Sequence, residues 1–159
     1  MVEGVVRLLL AGLVATILLT VVLRGGQLLG LTRMDLPLIL GLWVTKDRER
    51  AKFLGVFVHI LVGWPLAAVY AGVFWLLGGA SWWLGGLAGF VHALFVLLVV
   101  LPGLPGVHPR MASERTGPDP TRHLQPPGLA GLNYGRRTAG ATLIGHVAYG
   151  VILGLLLRS

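Results

Sequence analysis

The chain of 159 residues contains no cysteine and few charged side chains. Without cysteine, the protein has no disulfide bond, thiolate metal site, iron–sulfur cluster or cysteine nucleophile. Only 12% of its residues are Asp, Glu, Lys or Arg, whereas 55% are hydrophobic. Soluble domains carry about 25% charged residues. We therefore expect most of the protein surface to face lipid.

Four long apolar stretches are predicted to form membrane-spanning helices. A helix rises about 1.5 Å per residue, so about 20 residues cross the hydrocarbon core. The stretches are residues 5–23, 53–77, 84–101 and 138–157. The first is predicted to be a retained helix rather than a cleaved signal peptide, because its apolar part is too long. The predicted fold is all-α, one transmembrane domain over residues 1–159 with its four helices in an antiparallel bundle.

Two segments between these stretches are predicted not to span. Residues 36–44 are apolar but cover only about 14 Å, so an interfacial or re-entrant segment is expected. Residues 102–137 contain seven of the nine prolines and are expected to form a long ordered loop. The third span should end at Pro102, and Thr45 is the predicted N-cap of the second.

Lysine and arginine residues are concentrated in two segments. Six lie in residues 24–52 and five in residues 110–137. By the positive-inside rule both segments face the cytoplasm and both termini lie outside, as in a multi-pass protein of the bacterial cytoplasmic membrane. The positive charge then indicates anionic lipids as partners rather than nucleic acid. The candidate anion-binding or headgroup-binding side chains are His108, Arg110, Arg115, Arg122 and His123, although a solvated loop would have the same composition.

A weak internal repeat is also present. AGLVATILL from Ala11 is similar to AGFVHALFVLL from Ala88, and HILVGWPLA from His59 is similar to HVAYGVILG from His146. This pattern predicts two hairpins related by a pseudo-twofold axis along the membrane normal. The alternative is that apolar helices share a composition without a common origin.

Three histidines fall within the predicted spans. Counting helix rise places His59, His92 and His146 about 10 to 14 Å deep, in one layer. Ionisable residues inside membranes usually face the bundle interior, and imidazole binds haem or divalent metal. No Asp or Glu lies in a span to balance a cation, so hydrogen bonding between helices is the favoured role, with metal or haem binding and proton handling as the alternatives. Tyr70, Tyr149 and Thr142 are the other members expected in such a network.

Small residues recur at a spacing of four on the predicted helices. This spacing allows close helix packing. The residues are Gly63, Ala67, Gly145, Gly150 and Gly154. Gly85, Gly86 and Gly89 are candidates for contact with a partner subunit.

Three segments carry a resemblance to known proteins. AGLVATILLT from Ala11, LTRMDLPLILG from Leu31 and NYGRRT from Asn133 resemble segments of small four-span bacterial membrane proteins in families of unknown function. The resemblance implies the four-span topology and no particular activity.

The sequence contains no phosphate-binding glycine loop and no spacing typical of a Ser-His-Asp nucleophile. We therefore expect a structural or accessory subunit, or a scaffold, in a larger membrane complex or homo-oligomer. The alternative is a haem-binding or metal-binding carrier or transporter that uses the histidines. A third hypothesis is an enzyme that binds lipid headgroups with the arginine loops.

Overall fold

A computed structural model describes residues 2–114 and 122–158, and within them the protein is all-helical. The described residues form six α-helices, which are α1 Val2–Leu28, α2 Leu36–Gly41, α3 Arg48–Leu76, α4 Trp82–Phe95, α5 Leu101–Val107 and α6 Thr138–Leu156. One π turn (Val96–Val100) lies between α4 and α5, and one 3-10 helix (Leu129–Tyr134) lies between α5 and α6.

Four helical segments of the described chain are long and apolar enough to cross a membrane, which suggests a multi-pass membrane protein. They are α1, α3, the continuous run Trp82–Val107 and α6. The predictions of an all-α fold and of four long apolar helices are therefore confirmed. The first span is longer than expected, because Arg24 stays helical and pairs with Asp35 at 3.1 Å.

The third span also continues beyond its predicted end. Pro102 lacks a backbone N–H, and its ring crowds the carbonyl four residues earlier. The π turn at Val96–Val100 directly precedes this proline and widens the helix there. Helical structure therefore continues to Val107, and the predicted end at Pro102 is wrong.

Helix α2 is a six-residue helix packed against the beginning of α3. Asp35 caps it by accepting a hydrogen bond from the Leu38 N–H at 3.0 Å. A Cβ on Gly55 would overlap the carbonyl oxygen of Pro37, and a Cβ on Gly41 would overlap that of Ala51. The two backbones therefore touch, and α2 is too short to span, as predicted.

The N-cap of α3 differs from the prediction. Asp47, not Thr45, accepts hydrogen bonds from the first N–H groups of the helix, those of Glu49 and Arg50. Thr45 instead accepts from the Asp47 N–H at 3.2 Å. A carboxylate at this position also interacts favourably with the helix dipole.

The long helices are arranged in the order α3, α1, α6, α4. Helix α1 packs against both α3 and α6, and α4 packs along α6. Gly63 lies against Thr16 and Ala67 against Gly12 at the first contact, whereas Gly145 lies against Leu19 at the second. A pseudo-twofold axis would make an α3–α4 contact equivalent to the α1–α6 contact. Helices α3 and α4 have few close contacts, so the packing departs from that symmetry.

Helices α4 and α6 contact each other through glycine. Gly85 and Gly150 face each other's backbone carbonyls, and Gly154 faces that of Ser81. Gly89 similarly lies against the His146 carbonyl. Gly85 and Gly89 therefore pack within the bundle, not against a partner subunit.

The α3–α4 connection is short, yet the two helices diverge. Gly78 and Gly79 have positive φ and make the turn, but α3 faces α1 and α4 faces α6. A crevice of about 480 Å³ between α3 and α4 is lined by apolar side chains and by Tyr70 and His92. The short turn therefore does not produce a tightly packed helix pair.

The long connection folds onto one end of the bundle, which we call the charged end; it holds the end of α1 and the beginnings of α3 and α6. Residues 111 and 124 form an isolated parallel bridge. Met111, Leu124 and Tyr134 are buried, and the Arg33 N–H donates to the Tyr134 carbonyl at 2.8 Å. The described parts of the loop are thus packed rather than solvated.

Candidate binding sites inside the bundle and at its charged end

The three predicted histidines line one cavity of about 160 Å³, which we call the histidine cavity. Its walls come from all six α-helices and the π turn and are mostly apolar. The other side chains with polar atoms on its wall are Thr16, Thr142 and Tyr149.

The hydrogen bonds of His59 and His146 determine which ring nitrogens carry a proton. Thr20 Oγ1 donates its one proton to the Thr16 carbonyl at 2.7 Å, so it must accept from Nδ1 of His59, 2.9 Å away. Nδ1 of His146 donates to the Thr142 carbonyl at 2.8 Å. In both neutral rings Nε2 is therefore an acceptor. Within the described chain, neither Nε2 takes part in a hydrogen bond.

His92 and the tyrosines form the next layer of contacts. Nδ1 of His92 is 3.2 Å from the Tyr70 hydroxyl, and the His92 and His146 rings meet edge to face with centroids 4.7 Å apart. The Tyr149 hydroxyl donates to the Gly63 carbonyl at 2.8 Å. Its ring lies 5.4 Å from that of Tyr70. These contacts hold α3, α4 and α6 around the cavity.

One predicted network member is incompletely bonded. Thr142 is 1% exposed, and its Oγ1 has no hydrogen-bond partner among the described residues. Buried hydroxyl groups usually form hydrogen bonds, and one without a partner lowers the stability of the fold by about 1 to 3 kcal/mol. This oxygen has almost no accessible surface, so it is not open to a molecule inside the cavity.

The histidines do not form a ready metal site. Across residues 2–114 and 122–158, no three His, Cys, Asp or Glu side chains are placed to hold one metal ion. The three-histidine site expected from the sequence is thus not formed, because each ring is turned by a different Nδ1 partner. Haem binding is untested by this geometry and stays a prediction.

Thr20 was not identified in advance as a partner of His59. Threonine inside a helix often bonds to its own helix, and Thr16 and Thr20 do so, to the carbonyls of Gly12 and Thr16. Whether the Thr20 hydroxyl also faces His59 depends on how α1 is rotated about its axis. Amino-acid composition does not determine that rotation.

At the charged end, two adjoining pockets of about 280 and 460 Å³ are lined by basic side chains. They share Arg48, Arg122 and His123. We call them together the arginine pocket, which is lined by the cations Arg33, Lys46, Arg48, Arg110 and Arg122.

The cations of the arginine pocket are not neutralised by acidic side chains of the described chain. The ion pairs there join Arg24 to Asp35, Arg50 to Asp47 and Lys52 to Glu49. Asp35 lines the pocket, but Arg24 already pairs with it. A net positive charge therefore faces the pocket.

Backbone carbonyls position two of these cations. Arg33 donates to the Asn133 carbonyl, and Arg110 donates to the Leu42 carbonyl. A carbonyl carries no full charge and uses only one of the five guanidinium donors. Both side chains are therefore held at the pocket wall and keep donors for a ligand.

The predicted anion-binding residues have different outcomes. Arg110, Arg122 and His123 line the arginine pocket, whereas Arg115 lies outside the described residues. His108 is not available to an anion, because it is 3% exposed and both ring nitrogens are bonded. Its Nε2 donates to the Ile39 carbonyl at 2.9 Å, and its Nδ1 accepts from the Arg110 N–H at 3.1 Å. His108 therefore anchors the loop to α2.

Three pocket residues were missed: Arg33, Lys46 and Arg48. Arg33 precedes α2, Lys46 precedes α3 and Arg48 is the first residue of α3; in the sequence they are part of a general excess of basic residues. The feature that could have identified them is their position on either side of the short apolar segment 36–44. Because α2 packs on α3, the residues before and after α2 lie beside the long connection.

Because His108 anchors the loop in its neutral form, we expect the folded protein to be less stable in acid. Burial lowers the pKa of His108, and Arg110 adds to this, while the Ile39 hydrogen bond opposes it. The folded protein therefore favours the neutral ring. Its stability is full above the unfolded pKa of about 6.5 and falls as the pH drops below that value. Between pH 8 and pH 5, we expect the melting temperature in detergent to fall further for the wild type than for His108→Gln; an equal fall in both would contradict this role.

No family model, curated protein or solved structure matches the chain, so its likeness to small four-span bacterial membrane proteins stays a prediction.

Proposed function

We propose that the protein is a multi-pass protein of the bacterial cytoplasmic membrane that binds the phosphate groups of anionic lipids at its cytoplasmic face, without catalysing a reaction. The arginine pocket is the observation that carries this proposal. In this role the chain acts as an accessory subunit or scaffold of a larger complex or homo-oligomer, held against anionic lipid.

Contacts along the helices support an antiparallel bundle. Trp64 donates to the Leu9 carbonyl, and His59 bonds with Thr20, so positions ascending on α1 meet positions descending on α3. The Arg7 side chain, near the beginning of α1, donates to the Leu156 carbonyl at the end of α6. With both long connections on the same side, the positive-inside rule favours a cytoplasmic charged end.

The location of the arginine pocket suits a lipid phosphate. It lies where α3 begins and is lined by Leu42. The next residue in the chain, Trp43, is 43% exposed, as is common for tryptophan at a headgroup boundary. Guanidinium groups bind phosphate through paired, charge-assisted hydrogen bonds. Within a screening length of about 10 Å, several unneutralised cations act on one ligand together.

The same geometry gives less support to the headgroup enzyme. A hydrolytic or transfer reaction needs a side chain that can move a proton. Asp35 and His123 are two lining side chains of that kind, but the oxygens of Asp35 already accept from Arg24 and from the Leu38 N–H. The five lining cations outnumber these groups, so binding rather than chemistry is the role that the arrangement favours.

Charge removal tests the lipid proposal. We expect Arg48→Gln with Arg122→Gln to weaken binding of phosphatidylglycerol to the detergent-purified protein about 30-fold, at about 1 kcal/mol for each cation. Native mass spectrometry against lipid concentration measures this, with phosphatidylcholine as the uncharged reference.

The matched control is Arg50→Gln with Lys52→Gln, which removes two charges from the same end of the protein but outside the pocket. Both of these cations are already ion-paired. We expect a change of less than about 3-fold in this variant, because their charge is largely compensated. Equal losses in the two pairs, or no loss in the pocket pair, would overturn the proposed site.

A further inference from the structure

The histidine cavity has the volume of a small aromatic ring. It measures about 160 Å³ and is lined mainly by leucine, isoleucine, valine and methionine side chains. Apolar protein cavities of about 150 Å³ stay dry and bind benzene-sized molecules. The space is thus suited to one small ring.

The polar atoms on its wall define the second requirement. Nε2 of His59 and Nε2 of His146 are acceptors without a partner in the described chain, as derived from their Nδ1 bonds. Thr142 Oγ1 is also unpartnered but is fully buried, so it is not offered to a ligand. A ligand that brings an O–H group would donate to the imidazole of His59 or His146, whose side chains line the cavity.

The absence of charge on this wall sets the third requirement. No Asp, Glu, Lys or Arg is among the side chains that line the cavity. An ion in such a place costs several kcal/mol without a counter-charge. The ligand is therefore neutral.

A route for an attached chain adjoins the cavity. Leu66 and His92 line both the histidine cavity and the apolar crevice between α3 and α4. The crevice holds about 480 Å³, and its other side chains include the exposed Val69, Leu87 and Val91. A tail on the ring would therefore lie in apolar surroundings.

We propose that the histidine cavity binds a neutral hydroxylated aromatic ring, the head of a phenol-type or quinol-type lipid, whose hydroxyl donates to Nε2 of His59 or His146 and whose apolar tail lies between α3 and α4. This site is separate from the arginine pocket and does not depend on lipid phosphate binding.

Fluorine NMR tests the ring on detergent-purified protein. The probes are 4-fluorophenol and 4-fluoroanisole, which share a ring but differ in the hydroxyl proton. We expect saturable binding of 4-fluorophenol and about 10-fold weaker binding of 4-fluoroanisole, the effect of one hydrogen bond. Equal binding of both probes, or a signal that grows with detergent alone, would show simple partitioning and overturn the site.

A pair of variants locates the binding. Val96 lines the cavity, whereas Val99 in the same π turn is exposed and does not line it. We expect Val96→Phe to abolish 4-fluorophenol binding and Val99→Phe to leave it unchanged, with melting temperatures checked for both. Retained binding in a folded Val96→Phe variant would place the ring elsewhere and refute the proposal.

A tailed probe tests the crevice. We expect 4-nonylphenol to displace 4-fluorophenol and to bind at least 10-fold more tightly than it does. Leu87→Trp, which narrows the crevice, should remove this gain and leave 4-fluorophenol binding intact. If 4-nonylphenol binds no better than 4-fluorophenol to the wild type, the tail path is wrong. Arg48→Gln with Arg122→Gln should change none of these affinities, so this proposal and the lipid-phosphate proposal fail independently.

Discussion

Replacing Gly55 by alanine is expected to lower the free energy of unfolding by about 2 to 3 kcal/mol, in the range of overpacked cores. The new Cβ would overlap the Pro37 carbonyl oxygen. Because that oxygen belongs to the backbone, α2 as a whole must move away from α3. The loss outweighs the helix propensity of alanine, which favours the substitution by about 1 kcal/mol.

Gly72→Ala is the matched control for this substitution. Gly72 lies on the same helix, and nothing lies within 4 Å of where its Cβ would be. We expect this variant to be as stable as the wild type or slightly more stable. Unfolding in dodecyl sulfate titrations measures both. A Gly55→Ala protein as stable as Gly72→Ala would show that α2 is not held in contact with α3.

Replacing Asp35 by alanine is expected to destabilise the protein by about 2 to 4 kcal/mol. The lost N-cap accounts for about 1 kcal/mol. The remainder arises because Arg24 would stay partly buried without its carboxylate, at about 1 to 3 kcal/mol. The Asp35 side chain is 13% exposed and joins the end of α1 to the beginning of α2.

The Asp47→Ala variant distinguishes the contribution of an N-cap from that of a partly buried ion pair. Asp47 caps α3 in the same way, but its side chain is 51% exposed and its ion pair with Arg50 spans 3.6 Å. We expect about 1 kcal/mol of destabilisation here, from the cap alone. The same unfolding titrations compare the two variants. If both lose the same free energy, the Arg24–Asp35 pair contributes no measurable stability.

The sequence predicted the number and type of long helices because length and the lack of charge suffice for that inference. The sequence-based prediction was wrong at Pro102. Proline usually ends a helix, but this rule assumes that the preceding turn keeps its α-helical hydrogen bonds. The π turn at Val96–Val100 changes those bonds. No residue type marks such a turn in advance.

Helix neighbours were less predictable than the helices. A turn as short as that at Gly78 and Gly79 is typical of a closely packed helix pair, yet α3 and α4 have few close contacts and glycines elsewhere determine the packing. Gly85 and Gly150 allow α4 and α6 to meet backbone to backbone. A short turn limits the distance between two helix ends, but the faces with the smallest side chains determine which helices pack along their length.

Part of each site could be predicted from the sequence. His59, His92 and His146 were chosen for their depth, and the structure places them on one cavity. The direction of each ring depends on Nδ1 partners that depth alone does not reveal. For the arginine pocket, Arg110 and Arg122 were identified, but their neighbours come from other connections that only the folded loop brings together.

The position of α1 between α3 and α6 bears on how the protein is made. Ribosomes synthesise α1 before α6, so α1 acquires its second neighbour only after the intervening chain has been made. In the meantime Thr16 and Thr20 are satisfied by carbonyls of α1 itself. The Tyr149 bond to the Gly63 carbonyl, by contrast, forms only when α6 is in place. The wall of the histidine cavity is therefore completed after its other helices have been synthesised, and a molecule inside it would be enclosed only once α6 has packed.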